Sequence, residues 1–488
     1  MILGIRYLNF VIRASNYLIS NLEQIKTAPQ VWEPLQAISK RTYPDEEVCQ
    51  RGAGDGFRIM RAIIREKTQK GYNRAMLTRL PILHQTLLRQ IDAQAAALGQ
   101  PAYLVGGGVR DILLRQPALD LDIVIEGDAI QLAKALTAKY GGALTTHIKF
   151  RTATWQPLEG PPLDLITARR ETYRTPAALP DVTPSTLVDD LARRDFSINT
   201  LALRLADSAL IDLHNAQADL KNGVIRVLHS QSFNDDPTRL YRAVRYETRY
   251  GFQIAAETLA LIPPVLPLVE RLTAERLRHE LNLVFHETRP VRTLARMAEL
   301  GLLRAVLDDV LLWDSGLAIR LDSALTALPA PEWGLGLTFN GLPINQVLGY
   351  VVWFSALHHS QIALLHERLT FPLTILKNAQ AASALLADLP ALVGSKPSAW
   401  VRRLMDVPLP ALYAVHLISG EAAIKRYVTH WRHIQPKTNG ETLKALGLPP
   451  GPRYAEIIWQ LRAAWLDGEV ASENQEQTYL NGMIHTKG

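Results

Sequence analysis

The sequence predicts an α+β fold: a small mixed sheet with helices, followed by all-helical domains that run to the C-terminus. Three observations predict it. Between Pro101 and Arg169, short apolar runs alternate with helical patterns. After Asp190 the apolar spacing becomes helical almost to the end. Finally, the 488 residues are 48% hydrophobic and 20% charged, the balance of a folded chain with room for roughly three domains.

Residues 1–75 differ from the rest. They hold 12 Lys/Arg against 7 Asp/Glu, whereas the remainder holds 41 against 40, so most of the net charge of +6 lies upstream. A nucleic-acid partner of the main body would therefore depend on local clustering of basic groups. Residues 1–22 contain no acid, but Arg6 and Arg13 break the apolar stretch, which is too short and too charged to span a membrane. No small-residue cleavage site of a secretory signal follows. The one cysteine, Cys49, excludes an intrachain disulfide and a Cys-based zinc site and fits a reducing compartment. The chain is expected in the cytoplasm, with no membrane partner. The working protein is expected to start near Met76, with 1–75 as a leader, an extension or a mistaken start.

From Met76, "MLTRLPILHQTLLRQIDAQAAALG" reads as an amphipathic helix ending at Gly99. "YLVGG" reads as a strand, "VRDILLR" as a helix stopped near Pro117, and "LDLDIVIEG" as a strand. "DAIQLAKALTAKYGG" is a helix with Asp128 near its start and Gly141–Gly142 past its end. "ALTTHIKFRTATWQ" and "PLDLITAR" are further strands. Thr167 to Asp189 is long, Pro-rich and polar, a loop of the length that tends to be functional. Ile211 to Asn222 is loop-like. Asp236 begins a helix with Pro237 in its first position, and another helix runs from Thr273 through "AERLRHELNLVF". The expected division is a sheet domain with a leading helix at 76–215, then helical domains at 216–290, 291–435 and 436–488.

The chemistry concentrates in the sheet domain. Asp120 and Asp122 alternate along one strand, so they share a face roughly 6–7 Å apart. Two bare carboxylates that close repel by roughly 3 kcal/mol at an effective dielectric near 20. A divalent cation reverses the sign, and hard oxygen ligands with open positions suit Mg²⁺. The alternative is a solvated edge strand with one polar face. Upstream, "LVGGGVRD" places Gly106, Gly107 and Gly108 at a helix start, where backbone amides approach phosphate closely. Arg110 adds a fixed positive charge. Gly106-x-Gly108 is followed by Asp111 rather than a third glycine, so this is not a dinucleotide fingerprint, and no P-loop motif occurs. The histidines form no metal motif; H-E-x-x-H and HD are both absent.

Together, "LVGGGVRD" and "DLD" resemble the head motif of the tRNA nucleotidyltransferase and poly(A) polymerase family, in its bacterial-type class II. "DLARRDFSINTLAL" (Asp190 to Leu203) and "NDDPTRLYRAVRYETRYGF" (Asn234 to Phe252) are similar to two later family motifs, with Ser197, Thr200 and Asp235 as departures. The likeness is strong over 101–290, and nothing before Met76 takes part in it. It implies a head whose catalytic sheet resembles that of DNA polymerase β, followed by helical neck, body and tail. It also implies untemplated addition of C and A nucleotides to the 3′ end of tRNA, from CTP and ATP. Enzymes adding only A or only CC, and poly(A) polymerases, share these motifs. The contrasting reading is an RNA-binding protein with an inactive head.

Under this resemblance, Asp120 and Asp122 are the metal-holding catalytic pair, and Asp164 in "PLDLIT" is either a third carboxylate or a structural strand-end residue. Gly107, Gly108, Arg110, Arg193 and Arg194 face the triphosphate, whose charge arginines should meet. Arg239, Arg242 and Arg245 recur on one broad helix face and join them. Asp195 and Asn199, four apart on an expected helix, hold sugar or an arginine, or simply form a structural hydrogen bond. Asp236 is either a helix N-cap or, with Arg239, a protein template for the base. Carboxylate accepts and guanidinium donates, so such a pair takes C and A and rejects G and U. In the family, the region Thr167–Asp189 is a flexible element that reshapes this pocket. In the tail and body, Arg402, Arg403, Lys425, Arg426 and Arg432 either track tRNA phosphates or are solvated helix faces.

Overall fold

The computed structural model describes residues 76–117, 121–307, 310–326 and 328–485. The extension 1–75, Cys49 and Asp120 lie outside the described residues. The described residues divide into two compact units: those of 76–171 with 182–220, and those of 172–181 with 221–485.

The first unit is built on a seven-stranded sheet. Its elements are α1 (Ile82–Ala97), β1 (Ala102–Val105), α2 (Gly107–Leu113), β2 (Asp122–Ile125), α3 (Ala129–Tyr140), β3 (Ala143–His147), β4 (Thr152–Gln156), β5 (Leu163–Thr167), β6 (Arg169–Thr172), β7 (Asp181–Pro184), α4 (Leu187–Ala192), β8 (Ala202–Arg204), β9 (Leu210–Ile211) and α5 (Ala216–Asn222). The strand order is β3-β4-β5-β2-β1-β8-β9, with β2 and β5 parallel and the remaining pairs antiparallel. The sheet is therefore mixed. Helix α3 starts where Asp128 accepts the Ile130 and Gln131 amides, and it ends at Gly141, whose φ of 74° only glycine adopts without strain. One sheet face packs Tyr103, Val105, Val124 and Ala202 with Leu187 and Leu191 of α4. Alternation sends Leu104, Ile123 and Ile125, also fully buried, to the other face.

Three sequence expectations change here. Helical reading from Asp190 onward misses β8 and β9, which pair with β1 and with each other; at three and two residues they are too short to show a period. The loop-like stretch Ile211–Asn222 instead closes β9 and forms α5. Thr167–Asp189 is a ribbon rather than a loop: β6 and β7 pair with each other, and their polar residues gave no apolar alternation to read. The ribbon tip, Thr172–Asp181, groups with the second unit.

The second unit is helical. It contains α6 (Ser232–Asp235), α7 (Thr238–Tyr250), α8 (Ala274–Val284) and α9 (Pro290–Glu299), then further helices from Ser315 to Thr429. Trp333, Trp353 and Trp400 are buried among these, as core residues. A last bundle, Gly440–Ala445, Pro452–Leu466 and Glu473–His485, packs Leu443, Leu448, Ile457, Leu461 and Leu480. No helix among the described residues is long and apolar enough to cross a membrane.

Candidate active site

Sheet register assembles the head site. Val105 ends β1 and pairs with Asp122, the first residue of β2; Asp122 pairs with Asp164 of parallel β5; Asp164 pairs with Thr154 of β4. Residues on one rung of neighbouring strands project to the same face, so Asp122 and Asp164 are side by side. Asp122 is half-buried and Asp164 exposed, and the Thr154 hydroxyl donates to Asp164 Oδ1 at 2.6 Å. Directly beyond Val105 comes the glycine turn. Gly106 has φ 64°, donates its N–H to Leu201 at 3.0 Å, and has no room for a Cβ, which would meet the Arg194 guanidinium. The turn, Asp122 and Asp164 thus occupy one end of the sheet.

Arg110, Arg169, Arg193 and Arg194 are each held by an acid. Arg110 is 4% exposed; its Nε donates to Asp111 at 2.8 Å and its Nη1 to Asn199 Oδ1. Asn199 Nδ2 in turn donates to Asp195 Oδ1 at 2.9 Å. The expected helix under Asp195 and Asn199 is instead an extended Phe196 followed by one 3₁₀ turn, Ser197–Asn199. The pair bond to each other, and Asn199 also holds an arginine. Asp190, fully buried, accepts from Arg193 Nε and Nη2 at 3.0 and 2.8 Å and from Arg194 Nη2 at 3.0 Å. Glu171 accepts from both Arg193 and Arg169 at 2.9 Å. Burial, then the neighbouring Arg193, hold the Arg169 guanidinium below its ordinary value against the pull of Glu171. Arg194 Nε is buried with no hydrogen-bond partner among the described residues. Its Nη1 lies against Gly106 and donates to the Asn199 carbonyl at 3.4 Å, so the guanidinium stands beside the glycine turn with one donor unused.

Asp190 and Glu171 carry functional geometry that the sequence reading did not single out. For Asp190 the signal was present: spacings of three and four to Arg193 and Arg194, just past the end of α4. For Glu171 the link to Arg193 gave none, because that partner lies 22 residues away.

In the second unit, Asp236 precedes α7 in extended conformation, and the helix starts at Thr238, one residue later than expected. Asp236 Oδ1 accepts the Thr238 N–H at 2.9 Å and its hydroxyl at 2.6 Å, so it serves as a helix cap. It also pairs with Arg276 at 2.6 Å. Arg239 is buried and donates to Ser232 Oγ at 2.6 Å. Arg242 is partly buried beside Tyr246. Arg245 is carried inward, paired with Glu280 at 2.6 Å and Glu287 at 3.0 Å. The three arginines therefore do not share one open face. The acids missing from their own helix come from α8 and from Glu287 in the turn beyond it.

Two family models match the chain: the poly A polymerase head domain over residues 102–226, and the probable RNA and SrmB-binding site of polymerase A over 251–314. The A-adding tRNA nucleotidyltransferase of Halalkalibacterium halodurans is 33% identical over 416 residues, 83% of this chain and 93% of the relative. This chain belongs to the tRNA nucleotidyltransferase and poly(A) polymerase family. The CC-adding tRNA nucleotidyltransferase of Deinococcus radiodurans is 32% identical over 385 residues, 78% of this chain and 89% of that enzyme. Among solved structures, a Thermotoga maritima CCA-adding enzyme complexed with tRNA superposes with a TM-score of 0.67 at 26% identity, covering 84% of this chain and 98% of the other. The protein is thus a nucleotidyltransferase, and its family works with divalent metal ions. The donor set fits one: Asp122 and Asp164 offer hard oxygens side by side.

Proposed function

We propose that this enzyme adds C and A nucleotides to the 3′ end of tRNA from CTP and ATP, without a nucleic-acid template, and releases pyrophosphate. The observation that carries the reading is the rung Val105–Asp122–Asp164, which sets two carboxylates beside the glycine turn at one end of the sheet. Asp122 and Asp164, with Asp120 from the preceding residues, would hold Mg²⁺. A cation bound there would supply acidification of the attacking 3′-hydroxyl and charge stabilisation of the leaving oxygens. The amides of Gly107 and Gly108 at the start of α2 receive phosphate oxygens. Arg194, with its unused Nε, and Arg193 meet the remaining triphosphate charge, held in place by Asp190. Arg110 is gripped on two sides and stiffens the turn. Asp236 and Arg239 select the base through an acceptor and a donor aimed at its Watson–Crick edge, which admits C and A. The work is placed in the cytoplasm, and the head, neck, body and tail divide at 215, 290 and 435, with tRNA held by the tail.

A second reading, addition of A alone, is favoured by the H. halodurans relative, an A-adding enzyme aligned over nearly its whole length. One experiment separates the two. The full chain is incubated with Mg²⁺, one nucleotide at a time, and tRNA ending at the discriminator base, at C or at CC. Incorporation of CTP on the first two and ATP on the third supports CCA addition. ATP used only on the CC-ended tRNA, with CTP unused throughout, establishes the second reading. Long A tails point to a poly(A) polymerase, and no incorporation with any nucleotide overturns the catalytic reading.

A further inference from the structure

We infer that Arg276 is a positioning residue for base selection, fixing the Asp236 carboxylate and tying it to the tip of the β6–β7 ribbon. The inference rests on the reading of Asp236 as the acceptor for the incoming base. Arg276 lies in the first turn of α8, where its N–H bonds to the Thr273 cap. Its guanidinium spans two acceptors: Nη2 donates to Asp236 Oδ1 at 2.6 Å, and Nη1 donates to the Ala177 carbonyl at 3.1 Å. Ala177 in turn donates its own N–H to the carbonyl of Asn234, two residues before Asp236, at 3.0 Å. Ala177 is 6% exposed and has φ 65°, a left-handed turn that a non-glycine residue holds only when its surroundings fix it. The ribbon tip is therefore latched to the Asp236 segment from both sides, all within the second unit.

The distribution of bonds on Asp236 gives the latch its meaning. The bonds from Thr238 and Arg276 all fall on Oδ1, and Oδ2 accepts no hydrogen bond among the described residues. A carboxylate has acceptor capacity on both oxygens. Gripping one oxygen orients the other, and Oδ2 is the atom left to accept the exocyclic amino group of cytosine or adenine. Asp236 and Arg276 are both about one-fifth exposed, at 22% and 21%, so the pair is reachable from outside. The planar fork of arginine suits this task because it serves two acceptors at fixed angles; a lysine ammonium is a single point charge on a flexible stem.

The test uses the full chain, a tRNA at the stage the enzyme extends, and each of the four nucleoside triphosphates in turn. Arg276→Gln is expected to raise KM for the cognate nucleotide about tenfold and to lower preference over UTP and GTP by a similar factor, with kcat and tRNA affinity changed much less. Arg276→Lys is expected to fall between wild type and Arg276→Gln, and it gives the same readout should the glutamine variant not fold. Asp236→Asn is the control. If it changes base choice while both Arg276 variants keep wild-type KM and selectivity, the positioning role is overturned and the base-acceptor reading stands. A drop in thermal stability alone also overturns the role. If Asp236→Asn leaves base choice intact, the base-acceptor reading falls and takes this inference with it.

Discussion

Replacing Arg245 by methionine separates an arginine that faces nucleotide from one that holds the fold. Arg245 is 5% exposed, and the Glu280 and Glu287 side chains it meets are equally shielded, at 5% and 4%. Contacts of 2.6 and 3.0 Å each represent roughly 6 kcal/mol of Coulomb attraction at an effective dielectric near 20. Desolvation of the three ions cancels most of that sum, so the intact network adds little net stability. Removing one member is different. Glu287 keeps Arg249, but among the described residues the nearest remaining cation to Glu280 is Arg242 at 4.0 Å. Methionine fills most of the aliphatic volume, so the cost is mainly one of stranded charge, about 3–5 kcal/mol. Denaturant unfolding at pH 7, followed by circular dichroism, should record a loss of that size. Adding Glu280→Gln to the same chain should recover part of it. A loss below about 1 kcal/mol, accompanied by a higher KM for nucleotide, would refute the structural assignment and return Arg245 to the nucleotide.

Further outcomes are expected at the carboxylate rung and at Glu476. Asp122→Asn should reduce nucleotide incorporation by roughly 10³-fold or more while tRNA binding in a filter assay stays unchanged; Asp164→Asn should follow it, and full activity there would leave Asp164 as a strand residue bonded to Thr154. In the tail, Glu476 is fully buried. Burial alone would raise its carboxyl, but hydrogen bonds from the Thr438 hydroxyl, the Lys437 and Thr438 amides and Trp465 Nε1 hold it below the ordinary carboxylate range. A depressed folded-state pKa stabilises the bundle above the unfolded value near 4.5 and is lost as pH falls through the folded value. Tail unfolding, read by tryptophan fluorescence, should therefore steepen below about pH 4.5 in the wild type. Glu476→Gln should be less stable at neutral pH and flatter on acidification; an unchanged acid profile would count against the Glu476 bonds as its source.

How much of this was legible depended on where each partner lay in the chain. The glycine turn, the cap at Asp128 and the Asp122-bearing strand are local devices, and local spacing announces them. β8 has no such signature: Ala202–Arg204 becomes a strand because β1 offers it an edge, a fact carried by residues about a hundred positions earlier. The arginines make the same point chemically. Arg193 and Arg194 take their acid from Asp190, one turn away, and could have been paired by eye. Arg239, Arg242 and Arg245 look equivalent at three-residue steps. Yet the chain supplies Glu280 and Glu287 to Arg245 from 35 and 42 residues downstream, and Ser232 to Arg239 from the preceding helix. Sequence thus reports that positive charge is present; burial decides whether that charge is spent on the fold or kept for a ligand. By that criterion Arg194 is divided: its Nη2 is spent on Asp190 and its Nη1, set against Gly106, on the Asn199 carbonyl, while its buried Nε has no hydrogen-bond partner among the described residues.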